Sequence, residues 1–347
     1  MKNKKLLLLF FAAATSLAAY SQSSEEKPYV TRTFTDSNLK ELKVETSGGS
    51  ILVTGAQSGG IKVDMFVRGN NWKGKDELSK EEIENRLEDF DISIVTEANK
   101  VVATAKRKNN IPWNDKRSIS IGFKVYTPRN MRTDLKTSGG SIKIASLTGE
   151  QNFATSGGSL KLDDLDGMIR GRTSGGSIDV TNCRNDINLA TSGGSIKADM
   201  LKGKINLTTS GGSILLNGLD GDIVAHTSGG SIKGEDIAGK LDAGTSGGSV
   251  RLADISGSLR ANTSAGSIEV SVSKLGEYLS LTTSAGTVRV TMPLDKGADL
   301  NLRGNKVSIP LKNFDGEAQS DHVRGKINGG GIPVTLSASS GSVYVNQ

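Results

Sequence analysis

Six cationic residues recur at one place in a repeating sequence: Lys143, Lys161, Lys197, Lys233, Arg251 and Arg289. Counted from the threonine that opens each repeat, they stand at offset +6, with Asp179, Leu215 and Glu269 filling the remaining copies. Such a stripe has two readings. It is a solvated guard that blocks unwanted strand pairing on a β surface, or it holds an anionic polymer such as an acidic polysaccharide or lipid head groups. A second set, Asp163, Asp164, Asp199, Glu235, Asp236 and Asp254, falls at offsets +8 and +9. Stacked carboxylates suit calcium, which takes oxygen ligands. Ala145, Thr181, Asn217 and Ala253 break the +8 column, however, and no repeat has the glycine–aspartate order of calcium-binding nonapeptides. No metal site and no cofactor are expected.

Catalytic constellations are equally scarce. The two histidines, His226 and His322, have no motif around them, and His226 falls at the outward offset +17. Carboxylates occur in pairs, but nothing marks a cleft that would split their pKa values. The stretch from Ala154 to Glu277 has no Phe, Tyr or Trp to serve as a sugar platform. The single cysteine, Cys183, sits in an apolar column and reads as a small core residue. No catalytic residue is predicted, and the chain is read as a non-enzyme.

The element that must position the charged files is the motif Thr-Ser-Gly-Gly-Ser. It starts at Thr137, Thr155, Thr173, Thr191, Thr209, Thr227 and Thr245, with a Thr-Ser-Ala-Gly-Ser variant at Thr263, always eighteen residues apart. Thr-Ser-Ala-Gly-Thr follows at Thr283 after a step of twenty, an isolated copy opens at Thr46, and a worn one spans Ser339 to Val343. Fixed self-similarity of this period marks a solenoid. Within the copy at Thr173 the apolar residues Ile178, Val180, Cys183, Ile187 and Leu189 alternate with polar ones, the strand period. The reading is an all-β, single-stranded parallel β-helix, or β-solenoid, of about 18 residues per coil, right-handed by the crossover preference of parallel strands. Each coil stacks ~4.8 Å above the last. Glycines at +12 and the Gly-Gly pair are expected at corners where positive φ is needed. Small residues at +16, Gly171, Ala225, Ala243 and Ala261, imply a narrow interior. The repeating threonine keeps the inward parity, so its hydroxyl needs a corner amide or the next threonine as partner. An inward threonine also excludes an ice-binding face.

Along the chain, residues 1–21 read as a signal peptide: Lys2, Lys4 and Lys5, an apolar run from Leu6 to Ala19, and small residues before Gln22. No cysteine lies near that site, so lipid attachment there is not expected. An exported protein is expected, in the periplasm, on the outer surface or secreted, with no membrane span after cleavage. Residues 22–136 are read as a first coil and an N-terminal α+β cap, with one helix over about 76–90 capped by Ser79 and presenting Ile83, Leu87 and Phe90. A hairpin turns near Asn99 and a strand covers Ile119 to Tyr126. Trp72 and Trp113 fall in this region. Residues 137–296 are the regular repeats, and 297–347 are irregular C-terminal coils and a cap, with a polar loop from Asn313 to Lys326. The net charge of +6 comes from well-mixed residues, 43 basic and 37 acidic, which does not argue for nucleic acid.

The chain resembles the bacterial putative-adhesin β-solenoid family. The resemblance rests on the Ser-Gly-Gly-Ser-Ile repeats, the entry Tyr126-Thr127-Pro128-Arg129 and the close Ser340-Gly341-Ser342-Val343-Tyr344-Val345. It implies an exported envelope domain without agreed catalytic residues. Three functions follow as expectations. One is a non-catalytic solenoid presenting a surface for adhesion, its partner an envelope polysaccharide or surface protein. A second is a stacking scaffold or spacer. The third is a polysaccharide-active enzyme, if an unseen groove collects acids. Caps at both ends point to a monomer.

Overall fold

The computed structural model describes residues 27–55, 59–69, 78–108 and 118–347. The expected signal peptide, the expected helix start at Asp76, Trp72 and Trp113 lie outside the described residues. Among the described residues no helix is long and apolar enough to cross a membrane.

The chain is a parallel β-solenoid. Leu160 pairs in register with Ile142 below it and Ile178 above it, one repeat apart. The inward columns follow the strand period: Leu160, Leu162, Leu165 and Ile169 are buried, and so are Ile196, Ala198, Leu201, Ile205 and Leu207. No single coil could hide that face, so stacking is what makes the core.

The threonines form one buried file, paired rung to rung from Thr137 through Thr263. Thr155 Oγ1 donates to the Gly140 carbonyl of the preceding coil at 2.8 Å and accepts the N–H of Gly158 in its own coil at 3.2 Å. Thr173, Thr191, Thr209, Thr227, Thr245 and Thr263 repeat both bonds. The partner is thus a corner amide and a carbonyl, never the next threonine. Each hydroxyl satisfies two buried backbone groups that would otherwise be costly to bury.

From Gly140 to Gly266 the second glycine of the motif is not at positive φ, against expectation, whereas Gly286 has φ of 152°. The side-chain position of the second glycine is filled by backbone: a Cβ on Gly158 would lie 2.0 Å from the Gly140 oxygen. The first glycine has room, its nearest neighbour being 3.7 Å from a Cβ on Gly157. That is why Ala265 and Ala285 stand at the first position while Gly266 and Gly286 are kept at the second. Positive φ occurs at +9 and +12 instead. Ser146, Asp164, Asn182, Met200, Asp236 and Asp254 have φ between 52 and 58°, and Gly167, Gly203 and Gly221 have φ of 133, 115 and 135°. At +16 Ala225, Ala243 and Ala261 are buried, and Gly171 is small because of its neighbour: a Cβ there would meet the Phe153 ring at 2.0 Å.

At both ends the order of rungs in space departs from their order in the chain. Strands Glu41–Thr46 and Ile51–Thr54 flank the Thr46 copy and lie directly against the array, Thr46 on Thr137 and Ile51 on Ile142. The later strands Lys100–Arg107 and Ile119–Tyr126 pair on their outer side, Thr46 with Ala105 and Ile51 with Phe123. Antiparallel strands close this end: Phe90–Glu97 against one, Ile61–Gly69 and then Val30–Phe34 against the other. The C-terminal end repeats the device. The final strands Ile332–Ala338 and Ser342–Asn346 slip beneath the earlier Ala298–Arg303 and Lys306–Ser308.

Two local readings are corrected. The helix is shorter than expected, Lys80–Leu87, with Ser79 Oγ accepting the Glu82 N–H at 3.2 Å. Phe90 opens a strand instead, and the buried helical side chain is Arg86, held by Glu82 at 2.9 Å. The stretch read as a polar loop is a hairpin of Phe314–Ala318 and His322–Ile327, which covers Ala298–Arg303.

Candidate functional site

The offset +6 residues stand in a single exposed file. Lys143 pairs with Lys161, then Asp179, Lys197, Leu215, Lys233, Arg251, Glu269 and Arg289 follow, one per rung. The regular ladder places them there, since +5 and +7 are turned into the core. Within the file Arg251 Nε is 3.8 Å from Glu269, and the Arg289 guanidinium lies 5.4 Å from the Tyr344 ring. Among the described residues Lys143, Lys161, Lys197 and Lys233 have no ion pair. Their charges are available to a ligand.

The file borders a groove of about 650 Å³ running along the solenoid. One wall is the cationic file from Lys197 to Arg289; the other is the outward +8 file, with Asp199, Asn217 and Glu235. Gly234 stands on the groove where neighbouring rungs carry Leu216 and Leu252. Five rung steps separate Lys197 from Arg289, or ~24 Å at the strand spacing. That shape suits a chain more than a compact molecule.

The acidic columns have structural explanations. Asp164, Asp236 and Asp254 occupy the left-handed corner, where a short polar side chain is tolerated. Asp199 accepts from the Asn217 amide at 2.7 Å and Asp163 from the Asn182 amide at 3.2 Å. Asp164 accepts from Arg129 at 2.8 Å, which holds its carboxyl below the usual range. Among the described residues no group of three or more ligating side chains could hold a metal ion. His226 is exposed at +17, with Nε2 3.3 Å from Asp242. Cys183 is buried, and burial pushes its thiol up to about 12.

A second concavity, of about 750 Å³, opens on the coil side that carries offsets +13 to +17, near the N-terminal end. Its basic residues, among them Lys136, Arg170 and Arg172, stand in columns whose neighbouring coils carry no cation, Asn152, Asn188 and Asn206 at +15 and Ala154, Ala190 and Thr208 at +17. Tabulating the columns outward of the threonine would have exposed them.

None of the curated proteins compared matches the chain. Among solved structures it is similar to a putative cell adhesion protein from Clostridium sporogenes ATCC 15579, 12% identical, covering 92% of this chain and 100% of that one at a TM-score of 0.20. It is similar to a putative adhesin from Bacteroides fragilis NCTC 9343, 12% identical, with coverage of 92% and 96% and a TM-score of 0.25. A putative lipid binding protein from Parabacteroides distasonis ATCC 8503 is 13% identical, with coverage of 93% and 98% and a TM-score of 0.30. A family profile described as Toastrack DUF4097 matches residues 91–346, the whole regular array with the C-terminal coils and the later part of the N-terminal region, and the chain belongs to that family.

Proposed function

We propose that this protein is an exported, non-catalytic β-solenoid that binds an anionic envelope polymer along its offset +6 file. One observation carries the reading: Lys197 and Lys233, without ion pairs among the described residues, line a groove of about 650 Å³, and Lys143 and Lys161 continue their file. A polyanion laid along the axis meets a cation on most rungs, and the summed potential of such a file attracts it. The signal-like segment 1–21 supports export to where such polymers occur. Antiparallel strands at both ends oppose the scaffold reading, in which coils of separate copies would stack. The protein acts as a monomer.

The test is retention on immobilised polygalacturonate, an acidic polysaccharide, at low salt. The wild type should be retained and released as salt rises. Changing Lys161, Lys197 and Lys233 together to Glu should weaken retention at least about tenfold while leaving the circular dichroism spectrum unchanged. Equal retention of wild type and variant would sink the proposal.

A further inference from the structure

We infer a second anion-binding site, on the coil side bearing offsets +13 to +17, that takes a short oligosaccharide carrying at least two carboxylates. It shares no residue with the offset +6 file. Its centre is one rung that points Arg170 and Arg172 outward on either side of the inward Gly171. The rungs below and above Arg172 carry Ala154 and Ala190, so the side chains that would fill the face are cut back. The same rungs set Asn152 and Asn188 beside Arg170. This alternation of long cations with short neighbours produces the cavity of about 750 Å³, within the ~300–1,000 Å³ usual for ligand pockets.

Charge pairing leaves the right groups free. Arg132 is held by Glu150 and Glu41, and Lys136 lies 3.3 Å from Asp134. Arg170 reaches Glu150 only at 3.9 Å. Among the described residues the side chains of Lys43, Arg172 and Asn188 have neither an ion pair nor a hydrogen-bonded partner. The fork of a guanidinium matches a carboxylate bidentately, and an unoccupied amide can both donate to and accept from sugar hydroxyls.

Spacing selects the ligand. Lys43, Asp134, Asn152 and Arg170 stack in that order, so Lys43 lies ~14 Å of rung height from Arg170. Lys136 lies two rungs from Arg172 through Ala154, or ~10 Å. A single small anion would satisfy the arginine rung and leave Lys43 unmatched. A ligand of two or more acidic sugars spans the distance.

Fluorescently labelled tetragalacturonate is the probe, with inorganic phosphate as competitor, and equilibrium titration is the readout. The K161E/K197E/K233E protein should keep one saturable site. Adding R170E/R172E should weaken that site at least about tenfold; R170Q/R172Q serves if the charge reversal reduces folding. R170K/R172K should weaken it less, because charge remains and the fork is lost. Phosphate should compete poorly. The site is overturned if the K161E/K197E/K233E protein has already lost all binding, if R170E/R172E leaves its affinity unchanged, or if phosphate competes as well as unlabelled tetragalacturonate. Failure of the offset +6 proposal looks different: K161E/K197E/K233E would then bind as the wild type does.

Discussion

The middle of the solenoid and its two ends solve the same problem in opposite ways. Between Thr137 and Thr283 each rung lies on the one before it in the chain, and the threonine file joins them. At the ends the chain goes out, forms an outer rung, and another segment fills the space between. The threonine file stops there too: Ala105 stands opposite Thr46 at one end and Ala338 opposite Thr283 at the other. A repeat can only add another copy of itself and always leaves an edge of unpaired amides. Stopping the repetition takes strands that break the parallel register another coil would need, and both ends have antiparallel ones. The lesson is that periodicity builds length, while termination needs sequence that breaks it.

The largest expected effect tests whether the middle tolerates whole units only. Deleting Thr191 to His226 removes two complete coils. The product should fold, with stability reduced by the lost rung interfaces, since such arrays behave as sums of neighbouring contacts. Deleting Thr191 to Asp199 removes half a coil and an odd number of residues, so inward and outward side chains exchange in everything that follows. That protein should lose its β-sheet circular dichroism and be digested by protease. Equal folding of the two would refute the coil description.

A smaller effect separates the two glycines of the repeat. Gly158→Ala places a Cβ 2.0 Å from backbone that cannot move without shifting a rung, and should cost about 3 kcal/mol. Gly157→Ala meets nothing closer than 3.7 Å and should stay within ~0.5 kcal/mol of wild type. Urea midpoints at unchanged slope measure both. A large loss at Gly157, or none at Gly158, would mean that close rung approach is not what fixes the motif.

What could be read from the sequence divides along the same line. In the array every coil obeys the same sterics, so Ile178, Val180, Cys183, Ile187 and Leu189 declare their burial and the lysines their common file. The second glycine looks like a turn conformer because sequence shows that a side chain is absent, not what takes its place. Likewise Asp164 and Asp254 look like ligands but answer to a left-handed corner. At the ends, alternation marks which face of a strand is buried and is silent on which strand lies next to it. The hairpin from Phe314 to Ile327 lacks even alternation: an edge strand exposed from Asp315 to Ala318 buries too little to show a pattern. The arginine rung is hidden for the opposite reason to the lysine file: periodicity shows what recurs, and Arg170 and Arg172 interrupt columns that carry Asn152 and Asn188, Ala154 and Ala190 on the rungs beside them.

The smallest effect belongs to that hairpin and should be confined to its end of the molecule. His322 Nδ1 is 2.9 Å from Asp321 and its Nε2 is 3.4 Å from Glu317. The Asp321 hydrogen bond, helped by Glu317, raises the imidazole pKa above its ordinary 6.5. In turn His322, with a weaker contribution from Arg303, lowers that of Asp321. Raised histidine means that the pairing is fully present below the unfolded value and fades as pH climbs through the folded one. Lowered aspartate means that its share is present above the ordinary carboxylate range and fades as pH falls through the depressed value. The hairpin should therefore be best ordered between those two limits, on the acidic side of neutrality. Titrating the His322 ring proton by NMR should give a midpoint above that of an exposed histidine, and Glu317→Gln should bring it down. The array, whose rungs are joined by Thr–Gly hydrogen bonds, should show no matching transition. A His322 midpoint at or below the ordinary value would refute the pairing. A transition shared by the array would show that the two ends and the middle unfold as one unit.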